Sequence, residues 1–385
     1  MSPLPPTAIR VLLVETAPPD RPGSMLRYAD LVEACFSDHP EVQVERVTVA
    51  PTAQSLQSWP ARLRNLKHHG TISWKTRGLP RHYPHHLFHV TDGSHAYLTR
   101  WLPPDRTIVT THDVIPLLQS LGKFPVPSPG RQARWLIRQS LKGLARSAGI
   151  VADSQGTAAD IAQFGSISAD KLRVVPLALP LTLQPAANAT VTANQLRQNA
   201  EPFVFHIGNN GFYKNRTGVV RIFDLVRKQL PTPLRLKMAG PSLDASLRLL
   251  IQDLRIEHLV DLLIDIDDDQ LIKLYQQARL FLFPSIYEGF GWPPLEAMAW
   301  GCPVVCTHAG SLAEVVGDAA LVGDPADEQG LAQLCLKILD DPLLAQQQQS
   351  LGLQRATLFS IERLRADLLS VYHDVQARSH KRGHQ

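Results

Sequence analysis

Phe283-Pro-Ser-Ile-Tyr-Glu288-Gly-Phe-Gly-Trp-Pro-Pro-Leu-Glu296-Ala-Met-Ala-Trp-Gly-Cys-Pro303 is the stretch on which the fold of this chain turns. The apolar run Leu280–Phe283 that leads into it reads as a buried parallel strand. Gly289 and Gly291 permit a tight backbone turn. Pro293 and Pro294 suit the first turn of a helix, where a missing N–H costs nothing, and on this reading Glu296 also falls in that first turn. Strand, glycine turn and helix start together make an anion site, because the first N–H groups and the positive end of the dipole face one spot. Glu288 and Glu296 bracket the turn. A sugar nucleotide carries a diphosphate and a ring of hydroxyls, and a loop of this kind suits both.

Working outward, short apolar runs alternate with helical patterns, as βαβ units do. In the first half, strands are predicted at Ile9–Val14, Leu87–Val90, Thr107–Thr110, Gly149–Ala152 and Leu172–Val175, with helices at Met25–Ser37, Arg131–Ala148 and Thr157–Phe164. A second series opens at Phe203–Ile207 and continues through Leu234–Met238, Leu259–Ile264, Leu280–Phe283, Pro303–Thr307 and Ala320–Val322. Leu183–Pro202, rich in Ala, Asn, Gln and Thr, has linker composition. The tail from Pro342 to Arg378 is helical by pattern. The expectation is α/β: two Rossmann-like doubly wound parallel-sheet domains, 1–190 and 200–355, facing across a cleft with the ligand at the carboxyl ends of the strands. A C-terminal helix within 356–385 packs back toward the first.

The 385 residues exceed a usual single core. With 44% hydrophobic and 19% charged residues, the composition is that of an ordinary globular protein and excludes collagen, coiled-coil and disordered classes. Net charge is +4, unevenly spread: residues 1–180 hold 20 Lys/Arg against 13 Asp/Glu. Four cysteines at positions 35, 302, 306 and 335 form no disulfide framework and no Cys-x-x-Cys pair. The first residues lack a signal-peptide pattern and no run is long enough to span a bilayer, so a reducing cytoplasm is expected. The sequons at Asn188 and Asn215 are then chance matches.

The side chains that carry chemistry fall into four groups. Glu296 stabilises the helix dipole or accepts both hydroxyls of a ribose, and its partnership with Glu288 favours the second reading. Glu288 lies where a cleft would be, as a solvated carboxylate or as a contact to sugar hydroxyls and to charge developing at the anomeric carbon. After the strand Phe203–Ile207 comes Gly208-Asn209-Asn-Gly-Phe-Tyr-Lys214-Asn-Arg216-Thr. Lys214 is read as a phosphate ligand, and Arg216 as a second cation or simply a basic helix start that the dipole disfavours. Thr111-His112-Asp113 follows the strand Thr107–Thr110; His112 faces the sugar, or the pair is an Asp-capped turn with an incidental histidine. Gly23 and Ser24, after the first strand, mark a weaker acceptor-side position.

These residues resemble the large family of retaining GT-B-fold glycosyltransferases that includes bacterial mannosyl- and glucosyltransferases ("group 1"). The resemblance spans nearly the whole chain. Its most specific element is the Glu-x7-Glu spacing of Glu288 and Glu296. Thr111-His112-Asp113, Ala152-Asp153-Ser154, Lys214-Asn215 and Asp269-Gln270-Leu271 with Leu274-Tyr275 add to it. It implies that Glu296 binds the nucleotide ribose, and that Glu288 with Gly289, Phe290 and Gly291 meets the donor sugar. Lys214 would meet the diphosphate and His112 the reaction centre. It also implies metal-independent, front-face transfer with no cofactor. The family's arginine in the loop after the first strand of the second domain is replaced by Asn209 and Tyr213. Either Arg216 substitutes, or Lys214 and backbone donors hold the phosphate alone.

From Arg62 to His86 there are six Lys/Arg, five His and no acid, and Arg131, Arg134, Arg138 and Lys142 recur at helical spacing beside Trp135. This is a solvated basic face or a peripheral contact with anionic lipid. No nucleic-acid motif accompanies the charge. The pairs His68-His69 and His85-His86 lack a matching carboxylate or cysteine set and are read as loop residues rather than a metal site. The sequence thus predicts a retaining, metal-independent hexosyltransferase. It would use GDP-mannose or a UDP-sugar, and a glycan or lipid-linked acceptor of the cell surface. A non-catalytic nucleotide-sugar or glycan binder on the same fold is the alternative. A Rossmann oxidoreductase fares poorly, since no Gly-x-Gly-x-x-Gly follows the first strand.

Overall fold

A computed structural model describes residues 8–20, 23–185, 196–197 and 200–383. The start of the chain, the Asn188 sequon and much of the Leu183–Pro202 linker lie outside the described residues. The chain divides into two compact units, Met1–Pro180 with Ile361–Gln385, and Leu181–Ser360.

The first unit holds a six-stranded parallel sheet of β1 (Ile9–Glu15), β2 (Val42–Thr48), β3 (Leu87–Val90), β4 (Thr107–Thr111), β5 (Gly149–Ala152) and β6 (Leu172–Val174). Their order is β2-β1-β3-β4-β5-β6. β3, β4 and β5 are buried along their whole length, as expected of strands covered by helices on both faces. The final helix, Ile361–Gly383, buries Leu364, Leu368, Val371, Tyr372 and Val375 at three- and four-residue spacing. Val375 and Val371 lie against Gly149. The Tyr372 hydroxyl is 2.9 Å from Nδ1 of the buried His89, whose Nε2 is 2.7 Å from Thr110 Oγ1.

The second unit repeats the architecture with β7 (Phe203–Ile207), β8 (Arg235–Ala239), β9 (Val260–Leu263), β10 (Leu280–Phe283), β11 (Val304–Thr307) and β12 (Leu321–Gly323). Their order is β12-β11-β10-β7-β8-β9. The helix Arg216–Arg227 turns Val219, Val220, Ile222, Phe223 and Val226 inward and leaves Arg221 in solvent. With Leu236, Leu282 and Leu331 these residues form one apolar cluster. Each such side chain contributes about 1.5–3 kcal/mol by leaving water. The chain runs outward from β7 through β8 and β9, then returns to β10 on the other side. The direction of winding therefore reverses between β7 and β10, where open α/β sheets bind ligands.

Several expectations need correction. β2 was not predicted; Val42-Gln-Val-Glu-Arg-Val-Thr is a half-buried edge strand whose charges hide its pattern. His68 and His69 belong to no loop but to the helix Ala61–His82, whose Gly70, Gly78 and Pro80 obscure it in sequence. Nor do the histidines lack carboxylates, since His86 Nε2 lies 3.0 Å from Glu45. The helical tail is two helices, Pro342–Ala356 and Ile361–Gly383. Asn215 caps the helix Arg216–Arg227: its Oδ1 accepts from the Gly218 amide and its Nδ2 donates to the Pro284 carbonyl.

Candidate active site

In the second unit, the loops that leave β7 and β10 are joined at the reversal point. The Ile286 amide donates to the Tyr213 carbonyl at 2.7 Å, and Asn215 reaches Pro284 at 3.0 Å. Lys214 Nζ donates to both oxygens of Glu288, at 2.8 and 3.0 Å. Only 13% of the lysine side chain and 9% of the glutamate side chain remain exposed. The ammonium also lies 5.0 Å from the centre of the Phe283 ring. A shielded pair of this kind is strong electrostatically but depends on each partner.

The carboxylate loop is fixed from the next strand. Ser311 Oγ donates to the carbonyls of Glu288 and Phe290, at 3.0 and 2.8 Å, and its amide donates to Glu288 again. Gly310, with φ of 63°, packs so closely that a Cβ there would stand 2.2 Å from the Glu288 carbonyl oxygen. Gly291, with φ of 110°, makes the left-handed entry to the helix Trp292–Ala299. That helix begins one residue earlier than the sequence suggests, at Trp292. Glu296 therefore sits beyond its first turn rather than in it. Glu296 is 4% exposed and accepts from the Tyr275 hydroxyl at 2.9 Å. Tyr275, on the helix Asp268–Gln277, was visible in sequence only as part of the pattern before the motif strand.

The rest of the β7 loop is organised locally. Gly208 continues the sheet through its amide to Ala239, and Asn209 Oδ1 accepts from the Gly211 amide at 2.8 Å. Arg216 is buried. It donates to the Asn210 side chain and to the Pro241 carbonyl, while Nε and Nη2 have no hydrogen-bond partner. Burial presses its charged form down, with Asp244 partly offsetting that. His206, inside β7, was not singled out from sequence. Its Nδ1 lies 3.0 Å from the Leu282 carbonyl, and burial pushes it down to about 3, so it is neutral.

His112 stands in the first unit, at the carboxyl ends of β3, β4 and β5. Its Nδ1 is 2.6 Å from Asp153 Oδ2 and its Nε2 is 2.8 Å from the Thr91 carbonyl. A carbonyl and a carboxylate both accept, so both ring nitrogens donate and the ring is an imidazolium. Burial alone would lower it, but Asp153, Asp92 and Thr91 together outweigh that and hold it up at about 9. Asp153 is 1% exposed; sequence reading quoted it without giving it a role. Asp113 accepts from the Ile115 amide at 2.9 Å and caps the following turn. Gly23 and Ser24 open the helix Ser24–Phe36 and are exposed. Thus Lys214 and Glu288 meet, with Glu296 in the helix that follows the same loop, whereas His112, Asp113, Gly23 and Ser24 belong to the other unit.

Comparison with known proteins now bears on this geometry. Residues 190–354 match the family described as "Glycosyl transferases group 1". The chain is 30% identical to the O-antigen chain mannosyltransferase B of Escherichia coli over 76% of its own length and 75% of that protein. It is 26% identical to the serotype-specific mannosyltransferase WbdA of Escherichia coli over 67% of its length, and spans 32% of that relative. The sucrose-phosphate synthase of Thermosynechococcus elongatus shares the fold, with a TM-score of 0.74, 21% identity and coverage of 96% of this chain and 99% of that one. The chain belongs to the group 1 glycosyltransferases, and its two parallel six-stranded sheets are those of the GT-B fold.

Proposed function

We propose that this chain is a retaining, metal-independent mannosyltransferase of cell-surface polysaccharide assembly. It would move the sugar from a nucleoside diphosphate donor, GDP-mannose before a UDP-sugar, to a hydroxyl of a glycan or lipid-linked acceptor. The mannosyltransferase activity named for the relatives supports the sugar and the pathway class. The observation that carries the site is the Lys214–Glu288 pair at the reversal point of the second sheet.

In this reading the C1–O bond to the diphosphate breaks while the acceptor oxygen bonds C1 on the same face. The acceptor proton passes to the departing diphosphate. Lys214 exchanges its contact with Glu288 for the diphosphate and absorbs leaving-group charge. Glu288, freed, faces the sugar and the positive charge developing at C1. Glu296, oriented by Tyr275, takes the ribose hydroxyls. His112 is not the base, because neither nitrogen is free to take a proton; it contributes a fixed positive charge in the first unit. Gly208, Asn209, Gly289, Phe290 and Gly291 line the donor loop, with Gly23, Ser24 and Asp113 on the acceptor side. The buried Arg216 does not replace the family arginine at the phosphate, and Lys214 carries that charge with backbone donors.

The protein would work at the cytoplasmic face of the membrane. No helix among the described residues is long and apolar enough to cross one. The helix Arg131–Arg146 exposes Arg131, Arg134, Arg138 and Lys142 together with Trp135, which suits anionic lipid.

The test is a thermal-shift panel of UDP, GDP, ADP and their sugars, with and without EDTA, followed by sugar transfer and anomer analysis. A ligand at 100 times its Kd adds about 2.7 kcal/mol. Stabilisation by GDP-mannose, unaffected by EDTA, and an α-linked product are expected. A product of inverted configuration would end the retaining reading. Binding without any turnover, even hydrolysis, would favour a non-catalytic nucleotide-sugar binder, which the buried Arg216 alone recommends.

A further inference from the structure

We propose that His68, His69 and His95 form a binding site for a divalent transition metal ion, zinc in the first place, within the first unit. The inference stands apart from the transfer reading, whose donor groups all lie in the second unit. One potential ligand nitrogen from each of the three rings lies within 4.8 Å of the others. Ring centroids are 5.2, 5.7 and 5.8 Å apart. Three imidazoles on one tetrahedral zinc, with Zn–N of about 2.0–2.1 Å, place their centroids about 5 Å apart. The donor nitrogens must still draw together from separations of up to 4.8 Å to about 3.4 Å, a closure that side-chain rotation can supply.

The surroundings already orient the rings as metal ligands are oriented. Asp92 Oδ2 lies 2.9 Å from His95 Nδ1, with Thr16 Oγ1 3.1 Å away on the same nitrogen. The Tyr97 hydroxyl is 2.8 Å from His69 Nδ1. In His95 and His69 Nε2 is then the atom left for an ion, which is how a carboxylate or hydroxyl behind a ligating histidine sets its tautomer. His68 Nδ1 is buried with no hydrogen-bond partner, a vacancy that coordination would fill.

Charge separates a cation from an anion here. Asp92 places a carboxylate directly behind the cluster, 2.9 Å from His95 Nδ1. Three imidazoles backed by a carboxylate form a donor set that suits a metal ion rather than a phosphate. Lys67, the nearest cation in sequence, is turned away to Ser55. An ion would clip the helix Ala61–His82 to the 3₁₀ segment Gly93–Trp101 that follows β3, next to the strand ends where the first sheet reverses between β1 and β3.

The test uses the full chain freed of any histidine tag, titrated with Zn²⁺ by calorimetry and with Co²⁺ by visible absorption. One equivalent, an intense tetrahedral Co²⁺ band and a raised Tm with Zn²⁺ are expected. His69→Ala and His95→Ala should each weaken binding at least ten-fold. Asp92→Asn, which keeps the shape of the side chain, should weaken it by about 10–100-fold. His85→Ala, at an exposed histidine, should change nothing. Should the alanine variants misfold by circular dichroism, Asp92→Asn and the wild-type Co²⁺ spectrum still decide. No binding, a weak octahedral spectrum, or equal affinity in His95→Ala or Asp92→Asn would overturn the site.

Discussion

Each unit closes the carboxyl end of its sheet with a buried acid–base pair, and the two pairs are built differently. Lys214 reaches Glu288 on a flexible four-carbon stem, from one loop to another, at the reversal point of its sheet. His112 is a short rigid ring wedged between Asp153 and the Thr91 carbonyl, and both its nitrogens are used. A pair held by one mobile point charge can open for a ligand of like chemistry; a ring with two fixed bonds cannot without leaving Asp153 unpaired. On the proposed reading, the same electrostatics would yield a binding device in one unit and a piece of scaffold in the other.

The largest effect that would break this contrast is on the exchangeable pair. Glu288→Ala should lower kcat by about 10²–10³-fold with a smaller change in donor KM, measured by steady-state transfer. A wild-type kcat would remove Glu288 from the site. For the scaffold pair, the raised pKa of His112 means stability that is fully present below the unfolded value of about 6.5. It is lost as pH rises through about 9. Denaturant unfolding from pH 6.5 to 9 should show a loss of up to about 3 kcal/mol that His112→Gln abolishes. If the slope survives in that variant, the imidazolium assignment is wrong.

Tyr275→Phe should cost about 1–3 kcal/mol in stability, by leaving a buried oxygen of Glu296 short of a donor, and should raise donor KM with kcat nearly kept. Gly310→Ala should cost about 1–3 kcal/mol, because the new methyl meets the Glu288 carbonyl. It sharpens the comparison by moving the mobile pair without touching either charge. Smallest of all, Asn209→Ala removes an exposed turn contact and should change donor KM by no more than about two-fold, within the roughly ±0.5 kcal/mol range of surface changes.

The sequence carried much of this and hid the rest for identifiable reasons. The two sheets were legible because buried parallel strands such as Leu280–Phe283 are continuous apolar runs. β2 was not, because Glu45 and Arg46 interrupt it at the sheet edge. The loop after β10 was legible as strand, glycines and helix. The pairings within it were not, since no spacing rule links Lys214 to Glu288 or His112 to Asp153 across the fold. Arg216 looked like a free cation at a helix start and is a buried one, held by Asn210 and Pro241. Glu296 was placed one position too early in its helix because the prolines, not Trp292, were taken to open it.

The chain leaves the first unit at Pro180 and rejoins it only at Ile361, so the second unit is an insertion within the first. During synthesis, the first sheet must wait with Gly149 uncovered and His89 lacking Tyr372 until the helix Ile361–Gly383 leaves the ribosome. The inserted unit, contiguous in sequence, can mature first. A premature stop shortly before residue 361 would therefore damage the earliest-made part of the molecule, not the latest.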